Sequence, residues 1–334
     1  MRSLVAVLLT AVILLPIQAS AASGTLWDQA RVFEERGTSG GTIGGLTLDI
    51  KNNSLDQSEA LSLIQMPTIV EVYTATWCAN CVETEQALDE AIETVELNWG
   101  VTRIHYHRFL YETLDPFGSN STDSRWVETY GIGSLQSTDR SYVSSDGRNI
   151  QIIGTERSAP SKVFHGEMMY TGTSTKSNSL LTDYSAALAL GSKHPFEDNG
   201  SMSLQLSQDI NYPELFNFNW ETDLWSEHEN WEVNIWLMFV EKTAYFPEGS
   251  NGKENYSHVL HEAVNIGSQT ASSIQLDPPE PWDGDDMSII MLVDWKTQSI
   301  QSGRNTLPAP ALSTLLFMLA ALVPRRDSDY ETLQ

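Results

Sequence analysis

Cysteine is almost absent: the 334 residues hold two, Cys78 and Cys81. An exported scaffold stapled by disulfides would carry more, so a stapling framework is excluded. A structural zinc needs four ligands, and this pair alone does not supply them. Positive charge is scarce too. The chain has 19 Lys and Arg against 44 Asp and Glu, a formal net charge of −25. Such a surface repels nucleic acid, so no nucleic-acid partner is expected. A phosphate loop, a serine-nucleophile motif and a basic groove are also missing, and no cofactor is implied.

What is present points to packed domains. Hydrophobic residues make up 41% of the chain, with 10 Trp, 11 Tyr and 10 Phe. The length suits two domains of ordinary size. Residues 1–21 read as a secretory signal peptide: Arg2, then an uncharged apolar run, then Ala19-Ser20-Ala21. Near the other end, residues 307–324 carry no charge. At about 1.5 Å per residue they span roughly 27 Å, enough for a transmembrane helix. Arg325 and Arg326 then place residues 325–334 in the cytoplasm as a tail. The end also resembles sorting signals cleaved after export. The expected location is the cell surface or the periplasmic side, anchored in the membrane by this helix, with the membrane itself as a partner. Sequons at Asn52, Asn120, Asn199 and Asn255 are glycosylation candidates consistent with export.

Between these ends the texture changes once. Residues 22–45, rich in Gly, Ser and Thr, read as a linker. "GLTLDI" reads as a strand, and "SLDQSEALSLIQM" as a short helix capped near Ser54. "PTIVEVYTA" is a buried strand by its β-branched apolar run. After the cysteines, Leu88, Ala91, Ile92 and Val95 repeat at helical spacing. Glu83, Glu85, Asp89, Glu90, Glu93 and Glu96 are assigned to the other face. "VTRIHYHRF" is a second strand. "STDSRWVETYG" is a helix stopped by Gly131, and a hairpin turns at Asp146-Gly147. "APSKVFHG" returns as a strand and "NSLLTDYSAALALG" as a helix. From Ser201 the runs are strand-like, separated by Pro and Gly clusters, as in an all-β sandwich.

The cysteine pair follows a strand and opens a helix, in "TATWCANCVE". The helix N-terminus favours a thiolate at Cys78. Cys81 lies one turn on, placed to attack a mixed disulfide. The spacing thus supplies one nucleophile and one resolving thiol. An inert local disulfide and a metal ligand pair are the other readings.

Trp77-Cys78-Ala79-Asn80-Cys81 in this setting resembles the thioredoxin-like proteins. The resemblance implies that Pro160, behind Ala159 and opening a strand, forms a cis bond and lies against the cysteines. It also implies that Trp77 belongs to the site. "ETYGIG" is similar to the helix end that precedes this proline, but residues 134–158 intervene as an insertion. "VEVYTATWCANC", "LDPFGS", "APSKVFHG" and "NYSHVLHEAV" together resemble the outer-membrane-protein-related family, the twenty-eight-kilodalton outer membrane protein group. That family joins a thioredoxin-like domain to a C-terminal β domain. The expected fold class is therefore an α/β thioredoxin-like domain at 46–192, an all-β sandwich at 200–302 and a C-terminal transmembrane helix.

Two departures bear on chemistry. Many thioredoxins carry a buried acid where this chain has Val72; Glu71 is one residue away, on the other face by strand alternation unless a slip or bulge intervenes. A Lys that often follows the second cysteine is replaced by Val82 and Glu83. The acids Glu83 and Glu85 are expected to disfavour the Cys78 thiolate. Other signals weigh less. His105 and His107 share a strand face and are weak candidates for copper or zinc. His258 and His261 are expected to be structural. Asp283 to Asp286 can form a calcium turn or a solvated acidic one. Trp220, Trp225, Trp231 and Trp236 fit a carbohydrate or partner surface, or sandwich packing. Three functions follow: an oxidoreductase acting on exported protein thiols and disulfides, a cell-surface binding module on a thioredoxin-like scaffold, or a copper or zinc handling protein.

Overall fold

The computed structural model is sheet-rich. It describes residues 27–50, 56–109, 115–137, 140–143, 149–152, 155–227, 230–284 and 286–298. The first elements are β1 (Asp28–Gln29), β2 (Thr38–Asp49) and β3 (Asp56–Ser62), so strand structure occupies part of the expected linker and of the expected helix near Ser54. Strand β3 takes its form from its neighbour rather than from local propensity: every residue from Asp56 to Ser62 pairs with a residue from Ser201 to Ser207.

The cysteine-bearing unit follows. It comprises β4 (Thr68–Thr74), α1 (Ala79–Thr94), β5 (Val101–His107) and α2 (Asn120–Ser134), which runs past Gly131. The segment after α2 forms two small ribbons. One pairs β6 (Leu135–Ser137) with β9 (Thr155–Arg157); the other pairs β7 (Arg140–Val143) with β8 (Asn149–Ile152). The turn at Asp146-Gly147 lies outside the described residues. Then come β10 (Ser161–Phe164), β11 (Met168–Thr171) and α3 (Leu180–Leu190). Strands β4 and β5 are parallel, while β10 runs antiparallel to both β4 and β11, giving the order β11-β10-β4-β5. Helices α1 and α3 cover one face with Leu88, Ala91, Tyr184 and Leu188 against Val70, Val72 and Phe164. Helix α2 covers the other with Trp126 and Tyr130 against Tyr73 and Tyr106. This is the thioredoxin-like plan.

The second half adds β12 (Ser201–Gln208), β13 (Phe216–Asp223), β14 (Trp231–Tyr245), β15 (Asn255–Gly267), β16 (Ala271–Leu276) and β17 (Met287–Gln298). Here the expected fold class needs correction. The sheet does not stop at the thioredoxin-like unit. Strand β15 pairs in parallel with β5 at Val259 and His105, so nine strands run β1-β11-β10-β4-β5-β15-β14-β17-β2. A second sheet, β16-β13-β12-β3, packs on the far end of the first. Strand β12 alternates, with Met202, Leu204 and Leu206 turned inward onto Ile235, Leu237, Phe239 and Met291. Both sheets take strands from before and after the cysteine unit, because β2 pairs with β17 and β3 with β12. Strand β14 is buried on both faces, by the sandwich core on one side and by α2 on the other.

The transmembrane helix expected at 307–324 lies outside the described residues, as do the signal peptide and the tail. Among the described residues no helix is long and apolar enough to cross a membrane. The described residues therefore form a sheet-rich fold with three α-helices, not an α/β domain trailed by a separate sandwich.

Candidate functional site: the Cys78–Cys81 disulfide

Strand β4 delivers the chain to the cysteines at the edge of the apolar layer. Cys78 and Cys81 are joined in a disulfide with Cα atoms 5.3 Å apart. Cys78 is the N-cap of α1, and its sulfur accepts the Cys81 backbone N–H at 3.2 Å. That donor and the helix dipole favour negative charge on Cys78 Sγ. Cys78 is 6% exposed and Cys81 fully buried. Ala75, Trp77 and Ala159 pack around the pair. The Ala159–Pro160 bond is cis, and the buried Pro160 leads into β10. Trp77 is partly exposed, with the Arg108 guanidinium 5.5 Å from its ring centroid.

The second half of the chain helps to hold this loop. Asn251, in the turn after β14, donates its backbone N–H to the Thr76 carbonyl at 3.2 Å and its side chain to that of Ala75 at 3.3 Å. Tyr256 donates to Asn251 Oδ1 at 2.9 Å and lies within 3.3 Å of the Thr76 carbonyl. From the other side, Asp115 accepts the Thr76 N–H at 2.8 Å and contacts His107 Nδ1 at 3.1 Å. None of these partners is legible from spacing, since they arrive from different parts of the chain.

Glu71 keeps strand alternation, with no slip or bulge between β4 and its neighbours. It is fully buried on the α2 side, where the hydroxyls of Tyr106 and Tyr130 donate to it and Arg125 lies at 3.6 Å. Val72 faces α1 and α3. The buried acid on the helix that Cys78 caps is Glu85, only 9% exposed. It accepts from Thr74 Oγ1 at 2.7 Å and from Lys253 Nζ at 2.7 Å. Burial alone would raise its carboxyl, but Lys253, Lys162 and these hydrogen bonds outweigh burial and leave it below the usual range. Glu83 is exposed. The expected opposition of both acids to a thiolate therefore needs correction for Glu85, whose charge is met by two lysines.

Lys162 is 1% exposed and donates to Thr84 Oγ1, which itself donates to the Cys81 carbonyl at 3.0 Å. Burial pushes its ammonium down to about 8, against the attraction of Glu85. The signal was available: a lysine inside the apolar strand "SKVF", just after the proline.

The weaker candidates take structural places. His105 is 3% exposed, edge-on to His258 at 5.6 Å between ring centroids, and burial followed by His258 holds it well below the usual imidazole range. Among the described residues no group of three or more His, Cys, Asp or Glu is placed to hold a metal ion. His261 Nε2 meets Glu241 at 2.6 Å. Asp283 and Asp286 accept backbone N–H groups of Tyr245 and Thr243. The tryptophans divide: Trp220 and Trp236 are buried, Trp231 packs against the sandwich core, and Trp225 is 57% exposed. Asn120, Asn199 and Asn255 are exposed, and Asn52 lies outside the described residues.

No family model matches the chain, and no curated protein matches it. Among solved structures it is similar to HBP35 of Porphyromonas gingivalis, at 15% identity and a TM-score of 0.42, covering 68% of each chain. It is also similar to protein AGR_C_4864 from Agrobacterium tumefaciens, at 15% identity and a TM-score of 0.34, covering 64% of this chain and 78% of that one. At these scores neither likeness bears on the chemistry.

Proposed function

We propose that the protein is a thiol–disulfide oxidoreductase of an exported compartment, acting on protein thiols and disulfides through Cys78 and Cys81. The observation that carries this reading is the asymmetry of the pair: Cys78 caps α1 with an N–H on its sulfur, while Cys81 is fully buried one turn on. In the oxidising direction, a substrate thiolate attacks Cys78 Sγ. The Cys78–Cys81 bond breaks, and its electron pair goes to Cys81 Sγ, which takes up a proton. A second substrate thiolate then attacks the substrate sulfur of the mixed disulfide and expels Cys78 as thiolate. The substrate leaves oxidised and the pair reduced; the reverse sequence reduces a substrate disulfide. Pro160 and Trp77 form the wall against which the substrate chain lies. The likeness to the twenty-eight-kilodalton group belongs to this proposal and rests on the four quoted motifs.

Trapping tests it. In Cys81→Ala, Cys78 attacks a substrate disulfide but nothing resolves the product, so mixed disulfides accumulate and vanish on reduction. Cys78→Ala traps far fewer. If neither variant traps a partner, and the wild type exchanges with no reduced or oxidised protein, the reading fails.

A second reading has its own support. The low exposure of Cys78 and the Asn251–Tyr256 clamp also suit a closed disulfide inside a binding module. A reduction potential below about −300 mV would favour that reading, and a higher one the enzyme.

A further inference from the structure

Two loops from the second half of the chain reach the residues just before Cys78. The turn between β14 and β15, residues 246–254, closes on them through Asn251, and a carbon added at Gly249 would stand 3.0 Å from the Thr76 carbonyl oxygen. The loop between β16 and β17 packs beside that turn. Its Trp282 lies edge-on to Phe246 at 5.9 Å and to Phe117 at 5.3 Å between ring centroids. Phe117 in turn donates its N–H to Asp115, the acceptor of the Thr76 N–H. Trp282 is thus tied to the cysteine loop by two routes. It is also firmly held. The buried Glu241 accepts the backbone N–H groups of Trp282 and Asp283 at 2.9 Å each, and Trp282 Nε1 donates to the Tyr245 carbonyl at 2.9 Å. Its ring is nonetheless 46% exposed, and the neighbouring Tyr245 is 49% exposed. With the indole N–H already used, what Trp282 offers to solvent is the π system.

The same two loops carry exposed acids: Glu248 and Glu254 in the turn, Glu280 and Asp283 beside Trp282. The cations in this part of the chain are engaged. Lys253 pairs with Glu85 at 2.7 Å and Lys242 with Asp49 at 2.8 Å, while Arg108 lies over the Trp77 ring. An aromatic face rimmed by carboxylates attracts a cationic side chain twice, through the ring quadrupole and through the acids. A neutral sugar would gain from the rings alone. The formal charge of −25 adds long-range steering of basic partners. We propose that Trp282 and Tyr245, rimmed by Glu248, Glu254, Glu280 and Asp283, form a docking surface for a basic polypeptide segment, so that proteins presented to Cys78 carry Lys or Arg near the reacting cysteine. The proposal rests on the oxidoreductase reading for calling that segment a substrate, but not for its binding.

The test uses the full chain and two fluorescently labelled peptides without cysteine, equal in length, one with Lys and Arg at alternate positions and one with Glu in their place. Anisotropy should show binding of the basic peptide, weakened by salt, and none of the acidic one. Trp282→Ala should weaken binding about fivefold, and Tyr245→Ala somewhat less. Glu248→Gln combined with Glu280→Gln should act in the same direction; both side chains are exposed, so this variant serves should Trp282→Ala fail to fold. In turnover, Trp282→Ala should raise KM for a disulfide flanked by Lys, leave kcat unchanged, and leave the reduction of the small neutral hydroxyethyl disulfide as in the wild type. Equal binding of the two peptides, or no loss in any of these variants, overturns the proposal. So does binding of a neutral oligosaccharide with binding of neither peptide, which would assign the aromatic face to a sugar. Selective binding of the basic peptide by a protein that exchanges no disulfide would retain the docking surface and sink the oxidoreductase reading.

Discussion

Strand β4 separates two buried charge clusters. On the α2 side, Arg31 and Arg125 meet Asp294, and Arg125 also lies near Glu71. Thr42, Tyr106 and Tyr130 complete the hydrogen bonding. Two cations balance two anions. On the α1 side, Lys253 pairs with Glu85, and Lys162 is drawn to Glu85 and more weakly to Asp89. A balanced cluster ties elements together: this one joins the segment after β1 to β2, β4, α2 and β17. An unbalanced one is a standing cost unless a further negative charge completes it. The same strand thus carries a balanced cluster on one face and an unbalanced one on the other.

The largest expected effect comes from breaking the balanced side. Arg125 is fully buried, and Asp294 and Glu71 hold its guanidinium well above its usual range against the penalty of burial. Arg125→Leu leaves buried carboxylates without their partner and should cost about 3–5 kcal/mol of unfolding free energy. Denaturant unfolding measures it. The Cys81 titration, followed with Cys78→Ala, should stay where it is; a shift there would erase the distinction between the two faces.

Next is the pH dependence of Lys162. Its folded value, about 8, lies below the ordinary 10.5. Between these values the unfolded chain binds the proton and the folded one does not. Stability from this group therefore rises with pH across that window and is lowest below about 8. Lys162→Met removes the penalty, so the variant should be the more stable protein at neutral pH, by a few kcal/mol at most. Its advantage should shrink as pH rises from about 8 to 10.5. Urea unfolding of both proteins across that range checks this. An advantage independent of pH would mean that Lys162 is not held as a strained cation.

How much of this was readable differs from element to element. The strand–Cys–helix unit was legible because β-branched runs and helical periodicity dictate it locally. The course of the sheet was not. The end of β2 was readable in "GLTLDI", but its Gly-rich start and the polar β3 become strands through their partners β17 and β12, more than a hundred residues away. Glu85 shows a different failure. Cys81, Glu85, Leu88 and Ile92 follow helical spacing along one stripe, yet a carboxylate was assigned to solvent by its type. Its partner Lys253 lies 168 positions on, and no local pattern announces it. Lys162 stood inside an apolar strand, a signal that spacing alone could have carried. The Asn251 clamp on Ala75 and Thr76 had no sequence signature at all.

Lys253 gives the smallest effect and the finest discrimination. Its side chain is 25% exposed, and the Glu85 pair sits at 2.7 Å. A partly exposed ion pair is screened by salt and adds under about 1 kcal/mol to stability. Lys253→Met should therefore leave the unfolding midpoint nearly unchanged while still lowering the Cys81 thiolate fraction. Stability and chemistry come apart here because Lys253 sets the charge on Glu85, one turn after Cys81, whereas its loss exposes little new surface. High salt sharpens the contrast. It should weaken the influence of Lys253, which solvent reaches, and leave the buried Arg125 and Asp294 almost untouched. The measurement is the Cys81 titration of wild-type and Lys253→Met backgrounds at low and high salt, each with Cys78→Ala. The two curves should converge as salt rises. Curves that keep their separation would mean that Lys253 acts on Cys81 from a site that salt does not reach, against its partly exposed position.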